Sequence, residues 1–253
     1  MDEDRAVELY VEWRRLRHAP SERPLPAERV KLAGGADFLM GDGLSVTAQQ
    51  TLDDLLNFVN LFILDFRRLR SLVCVLDGLE EHEQYEAILE FGYPLVYSGL
   101  NAPAAIKGRL HYAIAQVSNL ANRELIPDWP NYGALEHSSP ELARYMGQFW
   151  SGWPALRQAL GVINNRAYLG STQSFRNHYQ HGAPVNVGMG ARRKIIRDLN
   201  GVEIYTIEPP LPLGSVVNAL LPQTAAAINA YSQLACLFGE QCAMANKRIQ
   251  PTP

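Results

Sequence analysis

Apolar residues recur at steps of three and four along most of this chain, and only one short stretch alternates in twos. Leu52, Leu55, Leu56, Val59, Phe62, Ile63, Phe66 and Leu69 fall on one stripe of a 3.6-residue helix. Thr47 and Gln50 have capping-box spacing, and Asp77-Gly78 interrupts the stripe, so the spacing predicts a helix from Thr47 to about Leu76. Further helices are expected over 80–99 and 103–124, parted by a turn at Ser98–Pro103. The run RELIPDWPNYGALEH (123–137) breaks the pattern, and Ser138 with Glu141 restarts it, Pro140 sitting just inside the start. Residues 154–168 and 171–181 read as helix divided at Gly170. The last helix is expected over 215–245, where Pro222 should kink or divide it.

The exception is KIIRDL (194–199) and VEIYTIE (202–208), which flank Asn200-Gly201, a strong short hairpin cue. Residues 3–17 suit a short amphipathic helix, and the Pro- and Gly-rich stretch 19–45 reads as an irregular lead-in. The expected fold class is therefore all-α: a helical bundle with a small β-hairpin, at about 192–209, inserted before the last helix. Its divisions are 1–45, an N-terminal helix and lead-in; 46–245, the helical domain; and 246–253, a disordered tail.

Composition adds limits rather than a function. The 253 residues carry 47% hydrophobic and 19% charged side chains, ordinary for a globular protein able to bury a substantial core. A net charge of −3 argues against coating nucleic acid by bulk electrostatics, although it leaves room for a local basic groove. Cys74, Cys236 and Cys242 lack CxxC spacing, so reduced thiols are expected rather than a disulfide framework or zinc knuckle. The opening MDEDRAVELYVEWRRLR is charged and amphipathic, unlike a secretory signal. The most apolar stretch, LLNFVNLFILDF (55–66), is interrupted by Asn57, Asn60 and Asp65, so a buried helix is expected, not a membrane span. A soluble protein is expected, and with reduced thiols a cytoplasmic one.

Several familiar sites are missing: no GxGxxG, no GxxxxGK[ST], and no histidine with a glutamate three residues before it. His82 among Glu80, Glu81, Glu83 and Glu86 reads as a solvated acidic face. The basic clusters at 13–17, 66–70 and 191–194 read as solvated or acid-paired faces. The stretch RNHYQH (176–181), followed by Gly182 and Pro184, is different because it crowds an arginine and two histidines where a helix should stop. Arg176 offers permanently charged donors to phosphate oxygens, and His181 titrates near neutrality and can move a proton. Five apart on an unbroken helix they point roughly 140° from each other, so one ligand can reach both only where the helix ends. His178 and His181 share a face, but no third metal ligand stands near. A polar helix end satisfying its own carbonyls is the plain alternative.

The spacing of Arg176, Asn177 and His181 resembles the signature of the HEPN superfamily, all-α domains built on a four-helix bundle in which the motif precedes the closing helix. The resemblance spans about 47–245. One position departs from it: Ala183 stands where many members have a tyrosine. The resemblance implies a homodimer acting as a metal-independent endoribonuclease on single-stranded RNA, with no cofactor and no metal. It implies His181 as general acid or base for attack by the 2′-hydroxyl, Arg176 stabilising the phosphorane-like transition state, and Asn177 orienting them or holding the backbone. His178 and Tyr179 are candidates for contacting a base. The family also implies a toxin–antitoxin or defence setting, with an antitoxin or other protein partner. The alternatives are a catalytically silent HEPN-like module binding RNA or protein, and a helical scaffold.

Overall fold

The computed structural model describes residues 1–18, 26–32, 43–133, 135, 139–182, 185–190, 192–197 and 203–249. In chain order the elements are α1 (Glu3–His18), α2 (Gly43–Leu76), α3 (Glu81–Ala87), a π-helical turn (Ile88–Gly92), α4 (Tyr93–Leu125), α5 (Pro140–Gly147), α6 (Trp153–Val162), α7 (Arg166–Ser171), α8 (Phe175–His181), β1 (Arg192–Arg197), β2 (Glu203–Glu208) and α9 (Leu213–Ile249). Among the described residues the fold is all-α with one antiparallel hairpin, whose register pairs Arg192 with Glu208 and Arg197 with Glu203. The Asn200-Gly201 turn lies outside the described residues. No helix among the described residues is long and apolar enough to cross a membrane.

The chain divides into two compact units. The first comprises residues 1–24, 62–102 and 165–222, and the second 25–61, 103–164 and 223–253, so α2, α4 and α9 contribute residues to both. In the first unit, Phe66, Leu69, Val96, Leu100, Phe175, Val216 and Leu220 are buried. There Trp13 of α1 meets Phe91 at 5.8 Å between ring centroids and donates its indole N–H to the Arg68 carbonyl at 2.8 Å. The second unit buries Leu52, Val59, Ile114, Val117, Met146, Trp150, Tyr231 and Phe238.

The polar residues that interrupt the stripe of α2 have tasks. Asn60 accepts from the Ala27 N–H at 2.8 Å, and Gln49 accepts from the Leu32 N–H at 2.9 Å, so α2 holds the segment 26–32 by its backbone. Asp65 accepts from the Ser98 hydroxyl at 2.8 Å. Arg29 grips Asp53 at 2.8 and 2.6 Å, and that hydrogen bond, assisted by Gln49, holds the Asp53 carboxyl below its ordinary pKa against the opposing effect of burial. A folded pKa lowered in this way contributes stability above the unfolded carboxylate range that is lost as pH falls through the folded value. Urea titrations should therefore show the Asp53→Asn variant losing less stability than the native chain on acidification below about pH 4.

Four expectations about boundaries are corrected. The helix expected at Thr47 starts at Gly43, because the Thr47 hydroxyl donates back to the Gly43 carbonyl at 2.7 Å inside the helix instead of capping it. The turn expected at Ser98–Pro103 is absent, since α4 runs through Pro103. Proline removes one helical N–H and costs about 3 kcal/mol in a helix interior. That cost is outweighed because the stripe on either side stays buried, Val96 and Leu100 before it and Ile106 and Leu110 after, all at 0–1% exposure. Likewise α9 runs as one helix through Pro222 and onward to Ile249, past the expected end at 245. Finally, the single break expected at Gly170 is two breaks: one at Thr172–Ser174, just past the expected place, and one before α7. Gly170 lies inside α7, while left-handed Asn164 (φ 50°) ends the run of α6, and the side chain of Asn165 accepts from the Tyr168 N–H to start α7.

Short helices end on borrowed partners as well as their own. Ser139, accepting from the Leu142 N–H at 3.1 Å, caps α5 in place of Ser138, which lies outside the described residues. The start of α6 has no side-chain cap of its own. Glu240 of α9 supplies one, its two carboxylate oxygens accepting from the Ser151 and Gly152 N–H groups at 2.8 and 2.9 Å. An anion at a helix start gains from both the orphan donors and the dipole. Glu240→Ala is expected to cost about 1–2 kcal/mol in urea unfolding, with Glu240→Gln keeping part of it.

Candidate functional site

The RNHYQH stretch forms α8 with Phe175, a helix of seven residues. Its entry is unusual: Gln173 and Ser174 are both left-handed, with φ of 51°, and neither is glycine. Consecutive left-handed residues with side chains store strain of about 1–3 kcal/mol each. The entry is held by backbone bonds from the Ser174 N–H to the Leu169 carbonyl at 2.7 Å and from the Phe175 N–H to the Thr172 carbonyl at 2.9 Å. At the far end Gly182 caps the helix and donates to the His178 carbonyl at 3.0 Å, so the helix does stop where Gly182 and Pro184 suggest.

What fixes the rotation of α8 is an aromatic stack. Phe175 and Tyr179, one turn apart, lie nearly parallel at 5.9 Å and 8°. Tyr97 of α4 meets them at 5.3 and 5.1 Å, and Tyr93 stands 5.9 Å from Tyr97. Burial first, then the neighbouring Tyr93 and Tyr179, raises the Tyr97 phenol above its ordinary pKa. Sequence reasoning missed Tyr93 and Tyr97. The available signal was two aromatic pairs at four-residue spacing, Tyr93/Tyr97 and Phe175/Tyr179, each suited to a helix face.

With Phe175 buried at 1% exposure, the remaining residues are placed by helical geometry. Arg176 and His178 are half-buried, and Asn177, Tyr179 and His181 are exposed. The side chains of Arg176, Asn177, His178 and His181 make no hydrogen bond or ion pair with any described residue. The helix is unbroken from 176 to 181, so Arg176 and His181 leave it roughly 140° apart. The structure brings the two onto one exposed helix but does not turn them toward each other. Tyr179 gives much of its ring to the stack with Phe175 and Tyr97, yet keeps 50% of its surface exposed. Chemically, this end of the unit offers a guanidinium fork, an amide and two imidazoles, all uncommitted.

Of the other charge clusters, those at 13–17, 66–70 and 80–86 each have a member in an ion pair, and the side chains of 191–194 lie outside the described residues. Arg15 pairs with Glu12 at 2.7 Å, Arg68 with Asp65 at 3.1 Å, and Arg5 with Glu83 at 3.0 Å. Around His82, Glu80 and Glu83 form a reciprocal capping box that starts α3. Among the described residues no group of His, Cys, Asp and Glu is placed to hold a metal ion. Cys74 and Cys236 are exposed thiols and Cys242 is buried, none of them in a disulfide. No family model matches the chain, and neither a curated protein nor a solved structure matches it.

Proposed function

We propose that the α8 end binds the phosphate backbone of single-stranded RNA and cleaves it without a metal, as the HEPN resemblance implies. The observation that carries this reading is that Arg176, Asn177 and His181 emerge from one short helix with no partner among the described residues. Strained backbone clusters at active sites and ligand clamps, and here it adjoins unspent polar groups. His181 takes the proton from the 2′-hydroxyl or returns one to the leaving oxygen, Arg176 stabilises the charge gathering on phosphorus, and Asn177 orients the backbone. The nucleophile belongs to the substrate.

Because the two side chains diverge on one helix, the reading requires two copies of α8 to face each other, each phosphate meeting Arg176 of one copy and His181 of the other. The same divergence favours a second reading, a module that binds RNA or a protein partner without cleaving. The experiment is cleavage of mixed-sequence single-stranded RNA in excess EDTA, with end-group analysis. Products ending in 2′,3′-cyclic phosphate, lost on substitution of Arg176 or His181, support the nuclease. Retained RNA binding with intact RNA supports the module.

A further inference from the structure

A second feature, in the other unit, is a cavity of about 320 Å³ between α4, α5 and α6. Each helix turns one face to it at helical spacing: Lys107 and His111 from α4, Glu141 and Arg144 from α5, and Trp153, Arg157 and Gly161 from α6. Lys107 spends one N–H on the Ile163 carbonyl at 3.0 Å, fixing the ammonium at the end of α6 and leaving two donors. Arg144 and Arg157 make no hydrogen bond or ion pair with any described residue, although Glu141 faces Arg144. Burial, then the charge of Lys107, lowers the His111 pKa against the opposing pull of Glu141.

Three cations against one carboxylate leave the cavity two positive charges in excess. Buried Trp153 and Leu160 give it an apolar wall, and its volume is that of a small-molecule site rather than a polymer groove. We propose that this cavity binds a small phosphomonoester, of nucleoside-monophosphate size, with the phosphate among Lys107, Arg144 and Arg157 and the organic part against Trp153. A phosphomonoester is largely a dianion at pH 7, which matches the excess charge, and arginine forks suit its oxygens. The site is independent of α8, and neither reading needs the other.

Gly161 provides a test that removes no charge. A Cβ built there meets nothing within 4 Å, and the residue is helical and exposed, so Gly161→Leu fills the cavity mouth without disturbing the packing. Adenosine 5′-monophosphate titrated into the full chain by calorimetry should bind, inorganic phosphate should compete with it, and adenosine should give no heat. Arg144→Ala and Arg157→Ala should each weaken binding roughly 10- to 100-fold, as loss of a charge-assisted hydrogen bond does, and Gly161→Leu should weaken it comparably. Circular dichroism confirms that each variant is folded. The proposal is overturned if the native chain does not bind the nucleotide at millimolar concentration, or if adenosine binds as well. It is equally overturned if binding survives all three substitutions, or is lost instead with Arg176→Ala.

Discussion

Arg176→Ala and His181→Ala should each lower RNA cleavage by about 10²–10⁴-fold, with both proteins still folded. The magnitude follows from their roles. A preorganised cation acting where transition-state charge develops, and a general acid or base positioned for the 2′-hydroxyl proton, each contribute on that scale. Arg176→Lys should recover little, because a point charge does not reproduce a bidentate fork. Folding should be nearly untouched, since neither side chain has a partner among the described residues and the rotation of α8 is set by Phe175, Tyr179 and Tyr97. The divergence of the two residues around α8 supplies a sharper form of the test. If each phosphate meets Arg176 from one copy and His181 from another, mixing and reassorting the two inactive variants rebuilds one complete site in every mixed pair. With half the dimers mixed, activity should return to about a quarter of the native value. A pair acting from within one copy gives no recovery on mixing, and no cleavage by the native chain leaves the binding module as the reading.

How far the chain could be read in advance depended on where the deciding contacts lie. The α2 stripe and the hairpin strands are local patterns, and both are present, as is the helix stop at Gly182. Pro103 and Pro222 misled because a local penalty is visible in sequence while the burial that outweighs it is not. The break at Asn164 carries no glycine, and no expectation marks it. Glycine permits a break without causing one, and here the left-handed asparagine and its capping neighbour make it. At the candidate site, the residue types and the helix end were legible. The mate that orients them, Tyr97, lies in a different helix far along the chain, and no local pattern ties it to Phe175 and Tyr179. The cavity between α4, α5 and α6 was illegible for the same reason: each helix carries only two to four of its residues, unremarkable taken singly.

Asn122→Ala should destabilise the second unit by about 3 kcal/mol or more. Asn122 is fully buried in α4 and works in both directions. Its carbonyl oxygen accepts from the Trp150 indole N–H at 2.8 Å, and its amide donates to the Met146 carbonyl at 2.9 Å, near the end of α5 where helical carbonyls run out of donors. Alanine strands both groups away from water, at about 1–3 kcal/mol each, and leaves a gap. Asn122→Asp should be no better, since it keeps the acceptor but loses the donor and places a charge in the core. Trp150→Phe alone leaves the Asn122 oxygen unpaired, so the double variant Asn122→Ala, Trp150→Phe should cost less than the sum of its parts, the sign of one shared bond. Three of the four tryptophans, Trp129, Trp150 and Trp153, belong to the second unit, and Trp13 belongs to the first. Tryptophan fluorescence in urea therefore reports chiefly on the unit that the substitution weakens, while circular dichroism follows helices in both. A fluorescence midpoint that drops below the dichroism midpoint in Asn122→Ala would mean that the second unit unfolds first, and midpoints that drop together would mean that the two unfold as one. A loss under about 1 kcal/mol would remove Asn122 from its place as the polar anchor of α4 and α5.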